Sequence, residues 1–193
     1  MPSISDADKA IAKAAAQAFG GRPRVARFWD DNHASSVDIL TCEDRPQEGV
    51  ISYSTVGLSG WPLFKGEKEY GARLEIVGAC GSAFKGFDNA LSTAAFCVIN
   101  SKWFCCPGVI FPDVLAMYDC SPTMRHFLFV PPFLWEDHLN TLDLDGRKVA
   151  WLLAVPISED ERAFAEANGP EKLEELFADR QIDIFNLHRS SQV

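Results

Sequence analysis

Apolar and polar positions alternate with a period of two through much of this chain, and a few stretches switch to the 3.6-residue period of a helix. Residues 5–19 carry the first helical pattern, with Ile11, Ala14, Ala15 and Ala18 on one face. Ser5 stands where it caps this helix, Asp8 follows three residues later, and Gly20-Gly21 with Pro23 stop it. Because that face is mostly alanine and buries little area, the pattern predicts a peripheral helix. Strand patterns follow at 25–29, 37–42, 50–56 and 72–79, separated by the turn Asp30-Asp31-Asn32-His33 and the polar loops 43–49 and 66–71. In 72–79, Leu74 and Ile76 alternate with Arg73 and Glu75, which predicts a sheet with one face wetter than the other.

In the second half, Asp88 is placed to cap a helix over 88–101. Leu91, Ala94, Ala95 and Val98 make its stripe, and Phe96 and Ile99 widen the apolar arc. A helix so apolar belongs across the sheet. A short strand is expected at 114–118. Residues 124–130 are apolar on both faces apart from Arg125 and His126, the pattern of a central strand, and Pro131-Pro132 end it because proline has no N–H to donate. Asp145-Gly146 is the signature of a type I′ hairpin. That turn sets Leu144 opposite Arg147, Asp143 opposite Lys148, Leu142 opposite Val149 and Leu139 opposite Leu152. Ser158 and Glu161 form a capping box for a helix that stops at Asn168-Gly169, and Pro170 opens the next one, with Leu173, Leu176 and Phe177 inward. The elements predict an α+β domain: a mixed, mostly antiparallel β-sheet with helices packed on it. Residues 1–22 read as an N-terminal helical extension and 23–193 as the domain.

Composition narrows the function classes. A chain of 193 residues with 47% hydrophobic and 23% charged residues fills one core and is not disordered. A net charge of −9 disfavours nucleic acid and anionic membrane as partners and would steer a basic protein toward this one. No apolar run reaches membrane length, and the acids near the N-terminus do not suit an export signal. The six cysteines show no C-x-x-C spacing. They are therefore expected to be reduced, in a cytoplasmic protein.

No motif announces catalysis. Asp30-Asp31-Asn32-His33 and Glu136-Asp137-His138 hold metal-ligand residue types, but consecutive turn residues rarely converge on one ion, and no second cluster joins them. Cys105-Cys106 lacks a nucleophile signature, and Ser54, Ser59 and Ser82 lie outside any G-x-S-x-G elbow. Gly57-Leu58-Ser59-Gly60 lacks the spacing and lysine of a phosphate loop. No catalytic residue, metal or cofactor is predicted. Trp61, in a Gly/Ser/Pro loop, is read two ways: as an aromatic anchor for a protein partner, or as a pin that tucks into the core.

Several strings, in their order along the chain, resemble the suppressor of fused family in its compact bacterial form. They are VISYSTVGLS at 50–59, RLEI at 73–76, VINS at 98–101, FVPPFLWE at 129–136, WLLAVPI at 151–157 and QIDIF at 181–185. The resemblance covers roughly residues 25 to 189 and implies a mixed sheet with packed helices. Animal members bind transcription factors of the hedgehog pathway in a cleft against a second domain, which this chain is too short to contain. Compact bacterial members resemble immunity proteins that neutralise toxins of polymorphic secretion systems. The resemblance thus implies a non-enzymatic protein-binding domain, a basic toxin domain as partner and no cofactor. The residues offered for partner contact are Thr55, Gly57, Ser59 and Trp61 in the loop, Glu136 and Asp137 after the double proline, and Glu174 and Glu175 on the acidic last helix. A hydrolase whose site assembles only in three dimensions, and a regulatory subunit unrelated to toxins, are the alternative readings.

Overall fold

A computed structural model describes residues 4–135 and 137–193. Helix α1 (Asp6–Phe19) precedes strands β1 (Pro23–Trp29), β2 (Ser36–Glu43) and β3 (Val50–Val56). A small hairpin of β4 (Phe64–Lys65) and β5 (Lys68–Glu69) occupies the segment expected to be a polar loop. Strand β6 (Ala72–Gly81) leads to helix α2 (Phe87–Ile99), then β7 (Ile110–Phe111) and β8 (Met124–Val130). The hairpin of β9 (Leu142–Leu144) and β10 (Arg147–Ser158) follows, and helices α3 (Glu159–Asn168) and α4 (Pro170–Asp179) complete the order.

The main sheet runs β1-β2-β3-β6-β10-β8-β7, with β9 also on β10. Among the described residues only β10 and β6 pair in parallel, with Lys148 opposite Ala72 and Leu153 opposite Val77; the other ladders are antiparallel. Pro156 lies past that parallel ladder, so it costs the ladder no donor. Alternation along β6 sends Leu74, Ile76 and Cys80 to one core and Val77 and Ala79 to the other. Helix α2 covers the first face with Phe87, Leu91, Ala94 and Val98. Helices α1, α3 and α4 cover the second with Ile11, Phe19, Ala165, Leu173 and Phe177. The expected fold class is the one observed.

Local sequence signals place several elements well. Ser5 and Asp8 form the α1 capping box, and Ser158 with Glu161 forms that of α3. Asp145 and Gly146 both have positive φ, at 53° and 76°, as a type I′ turn requires. The pairs Leu144–Arg147, Asp143–Lys148 and Leu142–Val149 then fall in register. The ladder stops there, so Leu139 does not pair with Leu152; its N–H instead bonds Trp135 O at 2.7 Å, closing the turn after the double proline.

Further expectations are corrected. Asp88 does not cap α2: the N-cap is Gly86, at φ 85°, two residues earlier, and the Asp88 carboxylate accepts the N–H of Asn89 instead. Residues 114–118 form no strand, because Asp113 and Asp119 at φ 58° and 51° bend the chain on either side of a 3-10 turn at Ala116–Tyr118. Strand β8 is next to the edge rather than central. Its outer side is covered by the short β7 and by the loop before it, where Gly108 N–H bonds Phe129 O and Phe129 N–H bonds Val109 O. Lastly, Arg73 and Glu75 do not face water; both are buried. Helix α1 is less peripheral than its alanines imply, since Phe19 lies 4.6 Å, centroid to centroid, from Trp135.

Candidate functional site

The loop between β3 and β4 is built on one buried carboxylate. Glu75 projects from β6 with no exposed surface. Its Oε2 accepts the Thr55 hydroxyl at 2.5 Å, and its Oε1 accepts the Ser59 hydroxyl at 2.7 Å, the Ser59 N–H at 2.9 Å and the Gly57 N–H at 3.1 Å. Thr55 Oγ1 in turn accepts the Ile76 N–H at 2.8 Å. Burial raises the Glu75 carboxyl above its ordinary value, against the pull of the donors from Thr55, Ser59 and Gly57. Gly57 sits at φ 98°, which an L side chain adopts only with strain. Gly57, Thr55 and Ser59 therefore brace the loop from beneath, and the Thr55 and Ser59 side chains are buried.

What this brace presents outward is aromatic. Trp61 is 38% exposed, and Tyr70 is 47% exposed. Lys102 Nζ lies 6.0 Å from the Trp61 ring and 5.8 Å from Phe64, while Lys65 Nζ lies 5.6 Å from Phe104. Tyr70 meets Phe104 edge to face at 5.4 Å. Amphipathic rings over a rigid backbone are the composition of interface anchors. The sequence marks Trp61 by its loop; Lys102, from the segment after α2, reaches its ring only in the tertiary fold.

The other predicted residues lie elsewhere. Glu136 lies outside the described residues. Asp137 is exposed in the turn after Phe133–Trp135. Glu174 is half-buried on α4, and Glu175 is exposed and paired with Lys172 at 2.6 Å. Both carboxylates help line an apolar groove of about 600 Å3 between α4, the C-terminal segment and the sheet. Its floor is Leu128, Val130 and Val155, and Phe133, Phe177 and Phe185 wall it. Three distant segments compose it, so no single stretch of sequence signals it.

Asp30 and Cys105, from the stretches that resemble metal or nucleophile sites, have structural surroundings. Asp30 accepts the N–H groups of Ala34 and Ser35, the Ser35 hydroxyl and the Asn100 amide, tying the β1–β2 turn to the end of α2. Among the described residues, no group of three or more His, Cys, Asp and Glu side chains is placed to hold a metal ion. Cys105 is buried, and burial pushes its thiol well above the usual range, away from nucleophilic reactivity. No helix among the described residues is long and apolar enough to cross a membrane.

The strand order and the helices on both faces define an α+β domain built on one mixed sheet. The sequence model of the family described as Suppressor of fused protein (SUFU) matches residues 33–190, and the chain belongs to that family. A Bacillus subtilis (strain 168) protein named immunity protein YqcF is 47% identical over 190 residues, covering 98% of this chain and 99% of that one. Among solved structures, a suppressor of fused homolog from Neisseria gonorrhoeae FA 1090 superposes with a TM-score of 0.69 at 18% identity, over 97% of each chain. Drosophila Suppressor of Fused gives a TM-score of 0.63 at 16% identity; 96% of this chain matches 51% of that one. At such identities the superpositions speak for the fold.

Proposed function

We propose that this chain is an immunity protein, which binds a partner toxin and neutralises it by occupation rather than by catalysis. The observation that carries the reading is the 47% identity to immunity protein YqcF over nearly the whole of both chains.

The partner in this reading is a protein toxin with a basic surface, complementary to the net charge of −9. It meets the protein in the cytoplasm. Trp61, set by Gly57 and by the Thr55 and Ser59 hydrogen bonds to Glu75, supplies an aromatic anchor. Asp137, Glu174 and Glu175, with Glu136 next to Asp137 in the sequence, supply the acidic side. The unit that binds is the domain of residues 23–193 carrying its helical extension of residues 1–22.

Co-expression tests the reading. The toxin gene neighbouring this one in its source genome is induced in a laboratory bacterial strain with and without this chain. Growth restored by the chain, together with co-purification of the two proteins, is the expected result. Unrelieved killing, or rescue in which the purified toxin is cleaved or modified rather than bound, overturns it.

A further inference from the structure

The groove beneath α4 has a composition that specifies what would enter it. Its floor and walls are aliphatic and aromatic, and Phe133 at its mouth is 50% exposed, an aromatic surface left in water. Among the described residues, every charged one lining it is an acid: Glu174, Glu175 and Asp183. Lys172 answers Glu175, but among the described residues neither Glu174 nor Asp183 makes an ion pair. Burial, reinforced by neighbouring Glu171, raises the Glu174 carboxyl above its ordinary value, so a cation arriving there would find a carboxylate short of compensation.

We propose that this groove is the docking site for a segment of the partner protein that seats a large apolar side chain between α4 and Phe133 and carries lysine or arginine beside it. The proposal rests on the immunity reading and names the chemistry of the contact. Charge complementarity selects this occupant. An acidic rim repels the carboxylate of a fatty acid and the phosphate of a lipid, whereas an apolar floor alone would admit either. An apolar anchor beside a charge-assisted contact is the arrangement that concentrates binding energy at protein interfaces.

The test uses the full chain with Ala178→Trp, which fills the groove from an exposed position of α4 without changing charge, and with Glu174→Lys. Retained thermal unfolding and circular dichroism establish that both variants fold. The probes are a synthetic amphipathic peptide with leucines on one face and lysines on the other, the same peptide with glutamates for lysines, decanoate, and the neighbouring toxin. The lysine peptide should bind the unmodified chain and the glutamate peptide should not; A178W and E174K should each weaken the lysine peptide by roughly tenfold or more. Toxin binding should weaken in the same variants. A178W binding the lysine peptide as the parent does would reduce the attraction to bulk charge and overturn the groove. Decanoate bound in place of the peptide would overturn it in favour of a small-molecule pocket. Toxin bound equally by parent and A178W removes the groove but leaves the immunity reading standing. Toxin bound by neither removes the immunity reading, and with it the toxin segment as occupant.

Discussion

Arg189 reaches back over 28 residues to grip Glu161, with Nη1 on Oε1 at 2.5 Å and Nη2 on Oε2 at 2.9 Å, and both side chains are buried. The same guanidinium donates to Pro156 O at 2.9 Å and lies 5.1 Å from the Phe177 ring. Glu161 meanwhile caps α3 through Ser158 N–H and accepts Gln192 N–H at 3.0 Å. One ion pair thus joins the end of β10, the start of α3, the face of α4 and the C-terminal tail. It closes the side of the domain on which the acidic groove lies.

Removing one partner of a buried pair strands the other charge, which costs about 3–5 kcal/mol. Arg189→Ala should therefore destabilise the protein by that order. Arg189→Met with Glu161→Gln should cost less than the sum of the single changes. Urea unfolding of the two single variants and the double variant measures the coupling. Additive losses would show that the pair does not act as a unit.

Glu75→Gln should release the loop it braces. The amide presents a donor where the carboxylate accepts from Thr55, Ser59 and Gly57, so at least one buried bond is lost, at about 1–3 kcal/mol. Hydrogen exchange at the Gly57 and Ser59 amides should quicken more than that at the Leu153 amide on β10. Equal protection in both proteins would contradict the brace.

His126 gives the fold a pH dependence. Its Nδ1 accepts the Asp113 N–H at 2.8 Å, so Nε2 carries the proton toward Glu159 at 2.9 Å in the neutral ring. Burial lowers its pKa below the ordinary 6.5, against the opposing pull of Glu159 and Asp113, and with Arg162 adding to the lowering. Between that lowered value and 6.5 the unfolded chain binds more protons than the folded one. This contribution is therefore full above pH 6.5 and is lost as the pH falls through the folded pKa. Glu159, held below its ordinary value chiefly by Arg162, adds a loss of the same sign only at more acid pH. Melting temperature against pH should fall below about pH 6.5 in the parent and flatten in His126→Gln over that window.

Gly78 tests the packing of α2 on the sheet. A Cβ there would stand 2.8 and 3.0 Å from two ring atoms of Phe87. Phe87 is wedged against Tyr53 and Phe127 at centroid distances of 5.1 and 5.5 Å, so the ring has little room to retreat. Gly78→Ala should cost about 1–3 kcal/mol by chemical denaturation, and Gly78→Ala with Phe87→Leu should recover part of it. An unchanged midpoint for the single variant would mean that α2 shifts freely.

Features legible in the sequence are those whose physics is local. Ser5 with Asp8, and Ser158 with Glu161, satisfy helix N–H groups within four residues, so their positions alone locate both helix starts. Asp145-Gly146 sets three cross-strand pairs because a two-residue turn leaves one register. The alternation in β6 and the apolar arc of α2 yield the fold class for the same reason. Asp88 misled because its local merit as a cap competes with Gly86, whose left-handed backbone starts the helix first.

Other features depend on which distant segments meet. Glu75 alternates like a solvent-facing residue, and only the fold of the 57–61 loop over it makes it a buried organiser. Strand β8 has the composition of a central strand, yet the parallel pairing of β10 with β6 places it beside the edge. Glu161 declares itself as a cap, but nothing near it in the chain points to Arg189, whose role depends on where the tail returns. The groove unites residues from β8, β10, α4 and the C-terminal segment, and Lys102 meets the rings of Trp61 and Phe64. Chain order by itself determined helices α1, α3 and α4, most of the longer strands and the β9–β10 turn, because hydrogen-bond capping and side-chain periodicity act over a few residues. Tertiary structure decided burial, partners and surface, because strand order brings together residues dozens of positions apart.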